Sequence, residues 1–203
     1  MALSLVQRNF PSNHRSNPKP TEPRDPGNDP EASYLHLVTA EGQLQIHTAS
    51  YRGSFSGVFS EALRAAGLGS QVLVAQFLKG GVNQGADGAI KLCGGMSWIR
   101  PNINCCLTQQ KDDDTEHTLN NCTHEAVEEI WQICKKHLSD GDINQMVLDE
   151  IGLAISLGYL EENDVISSLE HRPKAMDIIL TGPSIPSRVI SMADQVTQLR
   201  CGF

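Results

Sequence analysis

Gln43-Leu44-Gln45-Ile46-His47-Thr48-Ala49-Ser50-Tyr51-Arg52-Gly53-Ser54-Phe55-Ser56, running on through residues 57–70 to Gln71-Val72-Leu73-Val74-Ala75-Gln76-Phe77, is the stretch that decides the fold. Residues 43–48 alternate polar and apolar side chains, as a strand with one buried face does. Val58, Phe59, Ala62, Leu63, Ala65 and Ala66 then recur at helical spacing until Gly67 and Gly69 stop them. Residues 72–77 are short and nearly all apolar, the pattern of a strand buried on both faces of a parallel sheet. Strand, turn, helix and strand in that order predict a βαβ unit with a glycine in its first turn.

That turn has the outline of a phosphate-binding loop without its chemistry. In G-x-x-x-x-G-K-[ST] the backbone N–H groups surround the phosphates, the lysine reaches the terminal phosphates, and the hydroxyl binds Mg²⁺. On that frame Thr48 stands at the first glycine, Gly53 at the second, Ser54 at the lysine and Phe55 at the Mg²⁺-binding hydroxyl. A hydrogen bond to a charged group contributes about 1.5–3 kcal/mol, so loss of the lysine alone predicts nucleotide binding weaker by on the order of ten- to a hundredfold. Ser50, Ser54 and Ser56 with Arg52 and Gly53 remain as candidates for a weak anion nest at the helix start.

Outward from this unit, the pattern stays α/β. The acidic run Asp112-Asp113-Asp114 reads as a solvated loop, and Ala126, Val127, Ile130, Trp131, Ile133, Cys134 and Leu138 make a helical stripe capped by Asn121 or Thr123. Residues 144–150 form a strand ending in Asp149-Glu150. Carboxylates there lie where α/β sheets bind ligands or Mg²⁺, or else they stabilise a helix N-terminus. A helix from Ile151, a short helix capped by Asn163 or Asp164, a strand at 176–180, a helix at 187–193 and a strand at 195–199 complete the alternation. The fold class expected is α/β, a P-loop NTPase-like three-layer arrangement with a mostly parallel sheet and helices on both faces.

Residues 1–33 differ. Six prolines between Pro11 and Pro30, with almost nothing apolar, predict a disordered tail ahead of an α/β domain at 34–203. Arg8, Arg15 and Lys19 without an acid before Glu22 leave an organelle-targeting segment at 1–21 as a minor alternative to a plain cytoplasmic extension. Residues 34–39 read as an extra strand, turning at Glu41-Gly42 to form an edge hairpin with the first core strand. The net charge of −8 argues against general nucleic-acid binding, and no apolar run is long enough to span a bilayer. Six cysteines without a C-x-x-C pair fit a reduced environment, and Cys105, Cys106, His117, Cys122 and His124 match no structural zinc spacing. Trp98, in a glycine-rich region read as loop, either packs that loop on the sheet or offers a platform to a flat ligand.

Several segments together resemble one family in order and spacing. Ile46-His47-Thr48, Ala62-Leu63-Arg64-Ala65-Ala66-Gly67, Val74-Ala75-Gln76-Phe77-Leu78-Lys79-Gly80, Val147-Leu148-Asp149-Glu150, Gly158-Tyr159-Leu160, Arg172-Pro173, Ile178-Ile179-Leu180-Thr181-Gly182, Ala193-Asp194 and Leu199-Arg200 are similar to the ATP:corrinoid adenosyltransferases. The resemblance implies a P-loop α/β fold, a homodimer, ATP with Mg²⁺, and a reduced corrinoid that receives the adenosyl group at cobalt. It assigns metal binding to Asp149 and Glu150 and corrinoid contact to Trp98. Where the family loop reads T-G-N-G-K-G-K-T-T, this chain has Thr48-Ala49-Ser50-Tyr51-Arg52-Gly53-Ser54-Phe55-Ser56, and Pro183 replaces an arginine that follows Thr-Gly. A retained frame with an altered loop predicts a non-catalytic or repurposed relative acting on a ligand or a protein partner. The alternative is an active enzyme in which Arg52 binds phosphate.

Overall fold

The computed structural model describes residues 41–53, 55–81, 89–92, 94–104, 106–107 and 117–200. The expected tail at 1–33, the strand at 34–39 and the acidic run at 112–114 lie outside them. The elements are β1 (Leu44–Ala49), α1 (Ser56–Gly67), β2 (Gln71–Gln76), β3 (Ile90–Leu92), β4 (Gly95–Ile99), α2 (His117–Asp140), β5 (Gln145–Asp149), α3 (Ile151–Ser156), α4 (Glu162–Glu170), β6 (Asp177–Thr181), α5 (Ser187–Met192) and β7 (Gln195–Leu199). Seven strands form one sheet in the order β3-β4-β2-β5-β6-β1-β7. Every pairing is parallel except the β3–β4 hairpin.

Alternation along the strands sorts the core into two layers. Leu44, Ile46, Leu73, Ala75, Met146, Leu148, Ile178 and Leu180 meet α2, α3, α4 and α5 through Val127, Ile130, Trp131, Ala154, Val165, Leu169 and Val189. Val72, Val74, Val147 and Ile179 point the other way and meet Val58, Ala62 and Ala66 of α1. This is the three-layer α/β sandwich expected, and the all-apolar β2 and central β5 owe their composition to burial on both faces.

Four local expectations change. Trp98 lies on β4 and not in a loop, because β4 continues the parallel sheet beside β2 with Trp98 opposite Val74. Helix α2 starts at His117, ahead of both proposed caps, and α4 starts at Glu162 behind Glu161. A hairpin partner for β1 finds no free edge along that strand, since β6 and β7 flank it on either side.

Gly94 shows the cost of joining the β3–β4 turn to the end of α1. Its φ of +73° suits glycine, and a Cβ there would stand 1.9 Å from the Ala66 carbonyl oxygen. Gly94→Ala is expected to lower unfolding free energy by more than about 2 kcal/mol. Gly57→Ala, with nothing within 4 Å on the first turn of α1, should be neutral or stabilising by up to about 1 kcal/mol. Urea unfolding of the two variants checks the contrast.

Candidate functional site

The carboxyl ends of the parallel strands carry a polar row. The register places Gln76 of β2 beside Asp149 of β5, Asp149 beside Thr181 of β6, Thr181 beside His47 of β1, and His47 beside Thr197 of β7. These residues share the face that α1 covers further down, so a polar level caps the apolar one. Asp149 is buried and fully engaged: its Oδ2 accepts from Gln76 Nε2 at 2.6 Å and Lys79 Nζ at 2.7 Å, and its Oδ1 accepts from the Thr181 hydroxyl at 2.6 Å. The amide oxygen of Gln76 in turn accepts from Trp98 Nε1 at 2.9 Å and Arg100 Nε at 2.7 Å. Trp98 stacks on Phe59 of α1 with ring centroids 5.4 Å apart, and the Arg100 guanidinium lies 5.8 Å from the indole. The row is thus one continuous hydrogen-bonded system from β4 to β6.

Glu150, the next residue, is held by a different partner. It sits at the N-cap position of α3 in left-handed backbone geometry, φ 64° and ψ 23°, and makes no side-chain capping bond. Such a conformation costs a non-glycine residue about 1 kcal/mol or more and must be fixed by its surroundings. The fixing contacts are its N–H to the Thr181 carbonyl at 2.8 Å and a two-pronged ion pair with Arg52, Nε to Oε1 at 2.6 Å and Nη2 to Oε2 at 2.7 Å. Arg52 also donates to the carbonyls of Leu107 at 2.5 Å and Leu78 at 3.2 Å. Its pKa is raised, first by the hydrogen bonds to Glu150. The guanidinium therefore ties the loop after β1 to the segments after β2 and β4 and to the end of β5.

Of the other described loop residues Phe55 packs inward, while Ser50 and Tyr51 are exposed. Phe55 is 4% exposed and joins Ala49 and Val58 in the core layer under α1. Its carbonyl, not a side chain, receives the first helix amides, from Val58 at 2.9 Å and Phe59 at 3.3 Å. Tyr51 lays its ring over Gly53, where a Cβ would come within 2.7 Å of it.

A family model described as ATP:corrinoid adenosyltransferase BtuR/CobO/CobP matches residues 40–202. The chain belongs to that family. It is 28% identical over 170 residues to the corrinoid adenosyltransferase of Escherichia coli K12, a match covering 84% of this chain and 82% of the relative. Corrinoid adenosyltransferase CobA of Salmonella typhimurium is 30% identical over the same shares. The Pseudomonas aeruginosa corrinoid adenosyltransferase is 27% identical across 78% of this chain and 74% of its own length.

Within this adenosyltransferase frame the structure gathers Arg52, Asp149, Glu150 and Trp98 at one end of the sheet. Ser50 is exposed in the bend after β1, Ser56 is exposed at the first position of α1, and Ser54 lies outside the described residues. Gln76, Lys79, Arg100, Thr181 and His47 were missed as site residues; their signal is positional, since four of them close or follow a buried strand. Of the cysteine and histidine set, Cys105 is not described, Cys106 and Cys122 are exposed free thiols, and the His124 ring lies 6.2 Å from that of Tyr159. Among the described residues no group of three or more His, Cys, Asp and Glu side chains could hold a metal, and no helix is long and apolar enough to cross a membrane.

Arg52→Ala leaves a buried carboxylate unpaired, so unfolding free energy should fall by about 3 kcal/mol, with Arg52→Lys recovering only part of it. Chemical denaturation measures both. Burial lowers the His47 pKa below its ordinary value, so the folded state favours the neutral ring. The stability this contributes is present above about pH 6.5 and is lost as the pH falls through the lower folded value. His47→Gln should flatten that part of the stability profile.

Proposed function

We propose that this family member has lost ATP-dependent adenosyl transfer and acts by binding a ligand or a protein partner on the retained frame. The observation that carries this reading is the use of Arg52, the loop's basic residue, as a tether for Glu150. An arginine that gives its N–H groups to Glu150 and to the Leu78 and Leu107 carbonyls is not presented to a phosphate. Phe55, apolar and buried at the position of the Mg²⁺-binding hydroxyl, supports it further.

The residues do not fit a resident Mg²⁺. Both oxygens of Glu150 accept from Arg52, and both oxygens of Asp149 accept from Thr181, Gln76 and Lys79. A cation would displace a paired cationic side chain, and Mg²⁺ needs a near-ideal octahedron of oxygens. A corrinoid would meet Trp98 at a ring already stacked on Phe59 and hydrogen-bonded through its N–H.

Calorimetric titration with MgATP tests the proposal. The unaltered chain should show no binding in the micromolar range, and a Ser54→Lys, Phe55→Thr double variant should gain measurable affinity. Micromolar binding by the unaltered chain, or adenosylation of a reduced corrinoid by it, would overturn the proposal in favour of an active adenosyltransferase.

A further inference from the structure

Charge at the carboxyl end of the sheet balances for two cations and not for a third. Lys79 pairs with Asp149 at 2.7 Å and Arg52 with Glu150 at 2.6 Å. Arg100, half-buried just past the end of β4, pairs with no carboxylate among the described residues. Its hydrogen bond among them runs from Nε to the Gln76 amide oxygen at 2.7 Å, and no acceptor there reaches Nη1 or Nη2. An arginine drawn partly out of water ordinarily finds an acid, and this chain, with a net charge of −8, has acids in excess.

The side chain is fixed before anything binds. Gln76 Oε1 accepts from both Arg100 and Trp98 Nε1, while Gln76 Nε2 donates to Asp149. Trp98 stacks on Phe59, and the Phe59 ring centroid lies 6.0 Å from Lys79 Nζ. Arg100, Trp98, Phe59, Lys79, Asp149 and Gln76 thus close a circuit that contains two cations and one acid. Asp149 neutralises Lys79, whereas Arg100, 5.8 Å from the indole centroid, meets a neutral amide and an aromatic ring. One edge of the guanidinium is committed and its terminal pair of N–H groups is left over. A fork held in this way loses little freedom when an acceptor arrives.

We propose that Arg100 is the receptor for the carboxylate of a small organic acid, which rests on the reading above that the retained frame binds a ligand and not ATP. Two arguments select a carboxylate. With Nε engaged, Nη1 and Nη2 offer paired donors to the two oxygens of one carboxylate. The unbalanced charge is a single one, so a monoanion neutralises it, whereas a triphosphate would set several negative charges beside Asp149 and Glu150, whose cations are already paired. Trp98 and Phe59, both half-buried, offer apolar contact to the body of the acid, so an aromatic carboxylate fits better than acetate.

Titration of the isotope-labelled full chain with benzoate, benzamide and tripolyphosphate, followed through the arginine Nε–H resonances, tests this. The Arg100 signal is the one missing from Arg100→Gln. Benzoate should move it saturably with a dissociation constant on the order of millimolar, and uncharged benzamide should leave it in place. Tripolyphosphate should bind about threefold more weakly than benzoate, or worse. Arg100→Gln, read through the indole N–H of Trp98, should weaken benzoate by about tenfold or more. Arg100→Lys, which keeps the charge and loses the fork, should recover only part of that, and it carries the comparison should Arg100→Gln fail to fold. No saturable benzoate shift at Arg100, benzoate binding unchanged in the variants, or tighter binding of tripolyphosphate overturns the proposal. Failure of the parent reading is told apart by its own readout, micromolar binding of MgATP, because benzoate is titrated without nucleotide.

Discussion

The ion pair between Arg52 and Glu150 is the constraint on which this end of the molecule depends. Glu150 is 1% exposed, in a left-handed conformation, directly after a strand whose last residue is also a buried acid. Two adjacent carboxylates in a water-poor site repel unless each has its own cation. Here each has one. Lys79 from the segment after β2 serves Asp149, and Arg52 from the loop after β1 serves Glu150. Neither basic residue can leave without exposing a buried charge, so the loop takes its shape from the acids beneath it.

That arrangement accounts for how the described residues of the loop pack. Arg52 turns inward to Glu150, and Phe55 packs in the core layer with Ala49 and Val58. Gly53 is covered by the Tyr51 ring. The polar row from Gln76 to His47 and the Trp98–Phe59 stack persist beside this loop. The described residues of the first turn thus pack against a sheet end whose polar row is internally hydrogen-bonded.

Much of the fold was legible because burial imposes pattern. The alternation in β1, the apolar runs of β2 and β5 and the helical stripe of α2 each follow from having one or two faces in the core. Trp98 was misplaced in a loop because its short strand opens on glycine and buries only Met96 and Ile99, three residues apart, which breaks the alternation. The two carboxylates at the end of β5 were legible, but their partners were not. Which cation serves Asp149 and which serves Glu150 depends on loops 70 and 98 residues away in the chain, and no spacing rule reports a contact of that range. The motif marked Arg52 as a candidate phosphate ligand, and only the fold reports its pairing with Glu150.

The most direct test of the Arg52 tether is a double-mutant cycle with Glu150, in which Arg52→Met, Glu150→Gln and the combined variant are compared by chemical denaturation. A coupling of about 2 kcal/mol or more is expected, the combined variant costing much less than the two single changes added together. Additive effects would contradict it, showing that Arg52 does not hold Glu150 and that the loop is free to serve a phosphate.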